Sequence, residues 1–190
     1  MKKAILVNGV PASGKSTVAR ALARRFGAPL MTLDTVKEPL FHHVGIGDRE
    51  HNRKLGRASY EIIFAAVGEW PDDALVVVDA WFGFQPPEVL ERHLLTAGIG
   101  RTVELWCTAP GPVLAERYLS RTGARSPGHP GPEYAPELVA LSARAAPIGR
   151  GPLLAIDTTE PFRLDEAADL VARALDVPPP ARSGGALSRP

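Results

Sequence analysis

Short apolar runs alternate along the chain with longer stretches in which apolar positions recur every three or four residues. The runs Ala4–Val7, Leu30–Leu33, Leu75–Val78, Thr102–Cys107 and Leu153–Ile156 are bounded by turn residues and read as strands. Thr17–Phe26 carries Val18, Leu22 and Phe26 at four-residue spacing. Asn52–Trp70 puts Leu55, Ser59, Ile62, Ile63, Ala66, Val67 and Trp70 on one helical stripe. Pro86-Pro87 opens a third helix, because proline is tolerated in a first turn. Val113–Arg121 and Leu164–Leu175 complete the set. The strands are apolar without strict alternation, so both faces are buried: a parallel sheet between two helical layers. The expectation is a single α/β domain over residues 1–177.

Composition adds exclusions. The 190 residues are 45% hydrophobic and 23% charged, values of an ordinary globular protein. Lys and Arg total 22 against 21 Asp and Glu, a net charge of +1, which argues against a nucleic-acid binder. One cysteine rules out an internal disulfide and fits a reducing compartment. No run approaches the roughly 18 apolar residues of a membrane span, and Ala4–Val7 is too short for a signal core. A cytoplasmic protein with no membrane partner is expected; the sequence leaves oligomeric state open. The departure is 19 prolines and 18 glycines. Seven of these lie in 122–136 and six in 178–190. The tail 178–190 reads as disordered. The segment 122–136 lies between helices inside the domain and reads as a long functional loop.

Gly9-Val10-Pro11-Ala12-Ser13-Gly14-Lys15-Ser16 matches G-x-x-x-x-G-K-[ST] at every fixed position. It follows a strand and opens a helix, as a phosphate cradle requires. The glycines let backbone N–H groups converge on phosphate oxygens, and the helix N-terminus adds partial positive charge. Gly9, Pro11, Ala12, Ser13, Gly14, Lys15, Ser16 and Thr17 are the expected ATP-binding set. Lys15 can reach the β- and γ-phosphates, and the Ser16 hydroxyl can ligate Mg²⁺.

With NGVPASGKST at 8–17, LDTVKEPLF at 33–41, VVVDAWF at 76–82 and AERYLSRTGAR at 115–125, the chain resembles the small P-loop kinases. These include adenylate-kinase-like folds, chloramphenicol phosphotransferase and zeta-toxin-type kinases. The resemblance spans about residues 4–175. It implies a P-loop NTPase three-layer α/β/α sandwich, a five-stranded parallel sheet in order 2-3-1-4-5, and a lid at about 122–136. It also implies a substrate-binding or catalytic acid at Asp34, lid arginines near Arg117 and Arg121, and contact with the nucleotide base at 156–159.

Asp34 closes the second apolar run on the rim where an open α/β sheet binds ligands. A carboxylate there can take the proton of an attacking hydroxyl; it can equally cap a helix. Pro39 should limit that helix to about a turn. Asp79 ends Val76–Val78 at the Walker-B position and is the expected Mg²⁺ partner of Ser16. Ala80 follows where related kinases sometimes carry a second acid. Arg117 and Arg121 are four apart on one helix face and can stabilise γ-phosphate charge, Arg121 at the junction with the loop. Lys15, Asp34 and Arg121 form the candidate catalytic set. Lys37, Arg57, Trp81 and Phe82, with Asp34, are acceptor-side candidates, and Phe84 extends the aromatic rim. Arg53, Tyr60 and Phe64 share a stripe with Arg57 that reads equally as a solvated face. The five histidines show no metal-ligand spacing with Cys107, which reads as core.

These residues point to an ATP- and Mg²⁺-dependent phosphotransferase acting on a hydroxyl of a small molecule such as an antibiotic or sugar. A nucleoside-monophosphate kinase is weakened by Lys37 where arginine is usual, and shikimate- and gluconate-kinase signatures near Asp34 are not apparent. A polynucleotide kinase conflicts with the net charge. A non-catalytic NTP-binding module would keep the P-loop and have little need of Asp34 or the arginines.

Overall fold

The computed structural model describes residues 1–181. Five parallel strands form one sheet in the order β2-β3-β1-β4-β5, as the resemblance implies. They are β1 (Lys2–Asn8), β2 (Leu30–Thr32), β3 (Leu75–Asp79), β4 (Ile99–Thr108) and β5 (Leu153–Asp157). The helices are α1 (Lys15–Phe26), α2 (Leu33–His43), α3 (Arg49–Gly68), α4 (Pro87–Thr96), α5 (Gly111–Leu119), α6 (Ala135–Ser142) and α7 (Leu164–Leu175). Among the described residues no helix is long and apolar enough to cross a membrane. Most of the expected disordered tail, residues 182–190, lies outside the described residues.

The central strand β1 is apolar on both faces and divides the core. Ala4 and Leu6 face one layer with Ile63, Phe64 and Val67 of α3 and Leu90 of α4. Ile5 and Val7 face the other with Val18 and Leu22 of α1 and Val171 and Leu175 of α7. Each such fully buried side chain contributes roughly 1.5–3 kcal/mol of transfer free energy, so continuous apolar strands stabilise both layers at once. A third cluster, Val10, Leu114, Tyr118 and Leu138, joins α5 and α6 to the loop after β1.

The boundaries of α2 and α3 depart from the sequence expectation. Asp34 does not end a strand and is not a cap. Thr32 caps α2, its side chain accepting from the Thr35 N–H at 3.0 Å, and Asp34 lies in the first turn. Pro39 does not stop α2, which runs eleven residues through it; proline removes only its own N–H bond, and Phe41 beyond it is buried enough to hold the next turn. Asp48 caps α3 through the His51 N–H, so that helix begins three residues before Asn52. The Pro/Gly segment is a loop with two short 3₁₀ turns, Thr122–Ala124 and Pro132–Tyr134, and its last residues already belong to α6.

Candidate active site

The order of the sheet reverses around β1, and the strand register sets the level of the site at its carboxyl edge. Val7 pairs with Asp79, and Thr32 with the same residue on the other side. The P-loop therefore leaves β1 beside Asp79, and the first turn of α2 rises next to both. A cavity of about 1080 Å³ opens above this edge, walled by the P-loop, α2, α3, the rim after β3 and the loop after α5. Pro11, Ala12, Lys15, Ser16, Asp34 and Asp79 all line it.

The P-loop takes its shape from left-handed backbone at Gly9 (φ +154°), Ala12 (φ 65°) and Gly14 (φ 79°). A Cβ on Gly9 would stand 2.6 Å from the Cys107 carbonyl oxygen, and one on Gly14 would stand 3.0 Å from Thr158. Only glycine fits either place. Gly14 caps α1 without a side-chain acceptor, and the first turn of that helix holds no acid. An anion is thus the natural complement of its N-terminal dipole. Thr17 is exposed in the first turn of α1. Asn8 anchors the entry: its Oδ1 accepts from Gly9 N at 2.8 Å and Phe82 N at 3.0 Å. Its Nδ2 donates to Glu104 at 2.7 Å, a fully buried carboxylate that also accepts from Ile148 N and Gly149 N. Neither Asn8 nor Glu104 was singled out from sequence. The available signal was a polar residue closing the apolar β1 and a charged one in the middle of the apolar β4.

Ser16 and Asp79 line the same cavity, with the Ser16 hydroxyl close enough to favour the charged carboxylate. Asp79 is buried, and burial pushes its carboxyl above the ordinary range, partly offset by Lys15 and by the Ser16 hydroxyl. Among the described residues its Oδ1 has no hydrogen-bond partner, nor has the buried Ser13 hydroxyl. Buried polar atoms left unmatched at a phosphate cradle are those a ligand would satisfy. A hydroxyl beside a buried carboxylate oxygen is a hard-oxygen donor set, and these residues fit Mg²⁺.

Arg117 and Arg121 are separated by the structure. Helix α5 ends at Leu119, so Arg121 lies beyond it and the two do not share a helical face. Arg117 turns to the β5–α7 turn, donating to the Thr158 Oγ1 and carbonyl at 2.9 and 2.8 Å. Thr158 also leans on Gly14, which joins 156–159 to the P-loop flank. Arg121 lines the cavity, its Nε donating to the Arg117 carbonyl. Burial, then Arg125 and Arg117, pull its pKa down, the mark of clustered cations facing a space that an anion would fill.

On the acceptor side Asp34 and Lys37 project from α2 into the cavity, and Arg53 and Arg57 from α3. Arg57 pairs with Glu50 at 2.9 Å. Lys37 is buried, and its one hydrogen bond among the described residues runs to Asn52 Oδ1 at 2.6 Å. Burial lowers its pKa, opposed by Asp34. Trp81 and Phe84 form the aromatic wall. Phe82 does not: it is 4% exposed, packed edge-on to Tyr60 in the core. Tyr60 and Phe64 are likewise core residues, and the Tyr60 hydroxyl donates to the Trp81 carbonyl at 2.7 Å. The stripe on α3 therefore splits into two cavity arginines and two core rings. Cys107 is buried, its thiol pushed up to about 12 by burial, and takes no part.

The loop after α5 supplies Arg125, the last residue of the 115–125 segment, and His129, which sequence spacing did not reveal. Arg125 stands 3.9 Å from Asp34 and 5.4 Å from the centroid of the Tyr118 ring. His129 bridges Arg125 and Glu38 at 3.0 and 2.9 Å. Asn52 donates to the Gly128 carbonyl, and Gly128 approaches Phe41 so closely that a Cβ would stand 2.5 Å from its ring.

The family model described as an AAA domain matches residues 5–136. The chain belongs to this family. Among solved structures, a Chloroflexus aurantiacus protein classed as a kinase is 30% identical, with a TM-score of 0.75 over 92% of this chain and 98% of its own. A gluconokinase from Sinorhizobium meliloti is 25% identical with a TM-score of 0.50, over 92% of this chain and 90% of its own. A tunicamycin resistance protein from Deinococcus radiodurans shares the fold at 17% identity and a TM-score of 0.58, over 96% and 100%. No curated protein matches the chain. This AAA domain has the P-loop kinase fold, with its cradle, Ser16–Asp79 pair and large cavity on one edge of the sheet.

Proposed function

We propose that this chain is an ATP-dependent, magnesium-requiring kinase that transfers the γ-phosphoryl group to a hydroxyl of a small molecule bearing an acid group. The observation that carries the reading is Asp34, which shares one cavity with Lys15 and Asp79 and faces the phosphate cradle from the acceptor side. An NTP-binding module has no use for a carboxylate in that position. The acid group follows from Lys37, a buried ammonium whose hydrogen-bond partner is the neutral Asn52 and whose burial Asp34 offsets only in part; an anion joining it would relieve the remaining cost. The likeness to a gluconokinase at 25% identity supports a polyhydroxylated acid.

In this mechanism the P-loop N–H groups and Lys15 hold the phosphates, and Arg121 with Arg125 faces the charge that develops on the transferred group. Lys37 and Arg53 hold the acid group of the acceptor, while Trp81 and Phe84 flank its carbon skeleton and exclude water. Asp34 accepts the hydroxyl proton as the new oxygen–phosphorus bond forms and the bond to the β-phosphate bridging oxygen breaks, leaving ADP. Mg²⁺ held by Ser16 and Asp79 would neutralise phosphate charge when bound. The test is transfer of label from γ-labelled ATP to sugar acids, hydroxy acids, neutral polyols and hydroxylated antibiotics. Label on an organic acceptor, dependent on Mg²⁺, is expected; tight ATP binding with no labelled acceptor from any class would overturn the reading.

A further inference from the structure

Of the five histidines, His129 alone is held by charged groups on both ring nitrogens among the described residues. Its side chain is 5% exposed although it sits in the Pro/Gly loop. The imidazole Nε2 lies 2.9 Å from Glu38 Oε1 and Nδ1 lies 3.0 Å from the Arg125 guanidinium. A guanidinium can only donate and a carboxylate can only accept. The ring must therefore be neutral, with its proton on Nε2 and its lone pair on Nδ1 turned toward Arg125. The edge-on Phe41 ring fixes its plane at 86° and 5.5 Å. The same Arg125 Nη2 that faces the ring also stands 3.9 Å from Asp34 Oδ2. A continuous chain, Glu38–His129–Arg125–Asp34, thus runs from α2 through the loop and back to the proposed base.

We propose that His129 is a positioning residue: its neutral imidazole holds the Arg125 guanidinium beside Asp34, and its protonation releases that arginine and slows phosphoryl transfer. The inference rests on the function proposed above. The groups facing the ring are Asp34, Lys37, Glu38 and Phe41 from α2, Arg125 from the loop, and Asn52 of α3 through the neighbouring Gly128 carbonyl. Burial first, then Arg125 and Lys37, disfavour a second proton; Asp34 and Glu38 favour it, and the balance keeps the ring neutral below its ordinary value. Once protonated, Nδ1–H would confront a guanidinium donor, and that contact could not persist. Asp34, Glu38 and His129 also present three ligand atoms within 4.8 Å of one another. Arg125 already supplies the positive charge there, and both imidazole nitrogens are taken, so a metal ion is not needed to explain the cluster.

The test has two arms on the full chain. In the first, nitrogen NMR follows His129. The expected result is the Nε2–H tautomer at neutral pH, with a pKa that rises in Arg125→Ala and falls in Glu38→Gln. The opposite tautomer, or a titration that ignores Arg125→Ala, overturns the proposal. In the second, kcat/KM for a phosphorylated acceptor is followed against pH. Below the His129 pKa it should fall and level off at about a tenth of its neutral value or less. His129→Asn keeps an acceptor near the Nδ1 position and should flatten that limb. His129→Gln keeps a donor near the Nε2 position, loses the Arg125 contact, and should cost about tenfold or more at neutral pH. An acid limb unchanged in His129→Asn, or equal losses in the two variants, overturns the proposal. If no acceptor of any class is phosphorylated, the proposed function falls, and the NMR arm alone decides whether His129 holds Arg125.

Discussion

The two ends of the cavity are built in opposite ways. At the phosphate end the groups are mostly backbone: a tight loop between β1 and α1, held by left-handed residues and a buried Asn8–Glu104 anchor. Contiguous residues do the work there. At the acceptor end the groups are side chains from α2, α3, the rim after β3 and the loop after α5, meeting only through tertiary packing. On the function proposed above, the first end would hold the nucleotide phosphates and the second would choose the acceptor. Substitutions at the two ends should therefore fail differently.

Asp34→Asn tests the acceptor end most strongly. The rate of transfer should fall roughly 10²–10⁴-fold while the rise in melting temperature with ATP stays intact. Near-wild-type transfer would remove Asp34 as the base. Gly9→Ala tests the other end, since its Cβ would press on the Cys107 carbonyl in strained backbone. A loss on the order of 3 kcal/mol in denaturant unfolding, with loss of ATP binding, is expected. Retained stability would show that the cradle is softer than its geometry suggests. Lys37→Met should raise KM for acid-bearing acceptors about 10- to 100-fold, by loss of a charge-assisted contact. Neutral polyols should be affected far less, and equal effects on both would discard the acid group.

Asp79→Asn gives the smallest shift in stability, and one of opposite sign. The folded pKa of Asp79 lies above 3.8, so the folded protein binds more protons than the unfolded chain above that value. Stability is therefore lost as pH rises through the window above 3.8. Removing the charge should raise unfolding stability by about 1 kcal/mol at neutral pH without nucleotide, while Mg²⁺-dependent transfer is abolished. A lower melting temperature for the variant would mean that Lys15 and Ser16 outweigh burial.

The sequence by itself determined the phosphate end and the layered fold. Strand periodicity, the G-x-x-x-x-G-K-S spacing and the aspartate closing β3 are local signals, because each function there is carried by residues adjacent in the chain. The acceptor end was legible only in part. Asp34, Lys37, Arg57 and Trp81 could be nominated and do line the cavity, but Phe82 beside them turned into the core. Period alone could not divide the α3 stripe, since Arg57 and Tyr60 share a face until α2 and the β3 rim cover one of them. Thr32 rather than Asp34 caps α2, a choice made by where β2 stops pairing with β3. His129 carried no spacing signal at all: its partners lie 91 residues away at Glu38 and four away at Arg125. Only the return of the Pro/Gly loop onto α2, fixed by Gly128 against Phe41 and by Asn52, brings them together. Local chain geometry specifies a phosphate cradle; a pocket assembled across distant elements exists only once the core has placed them.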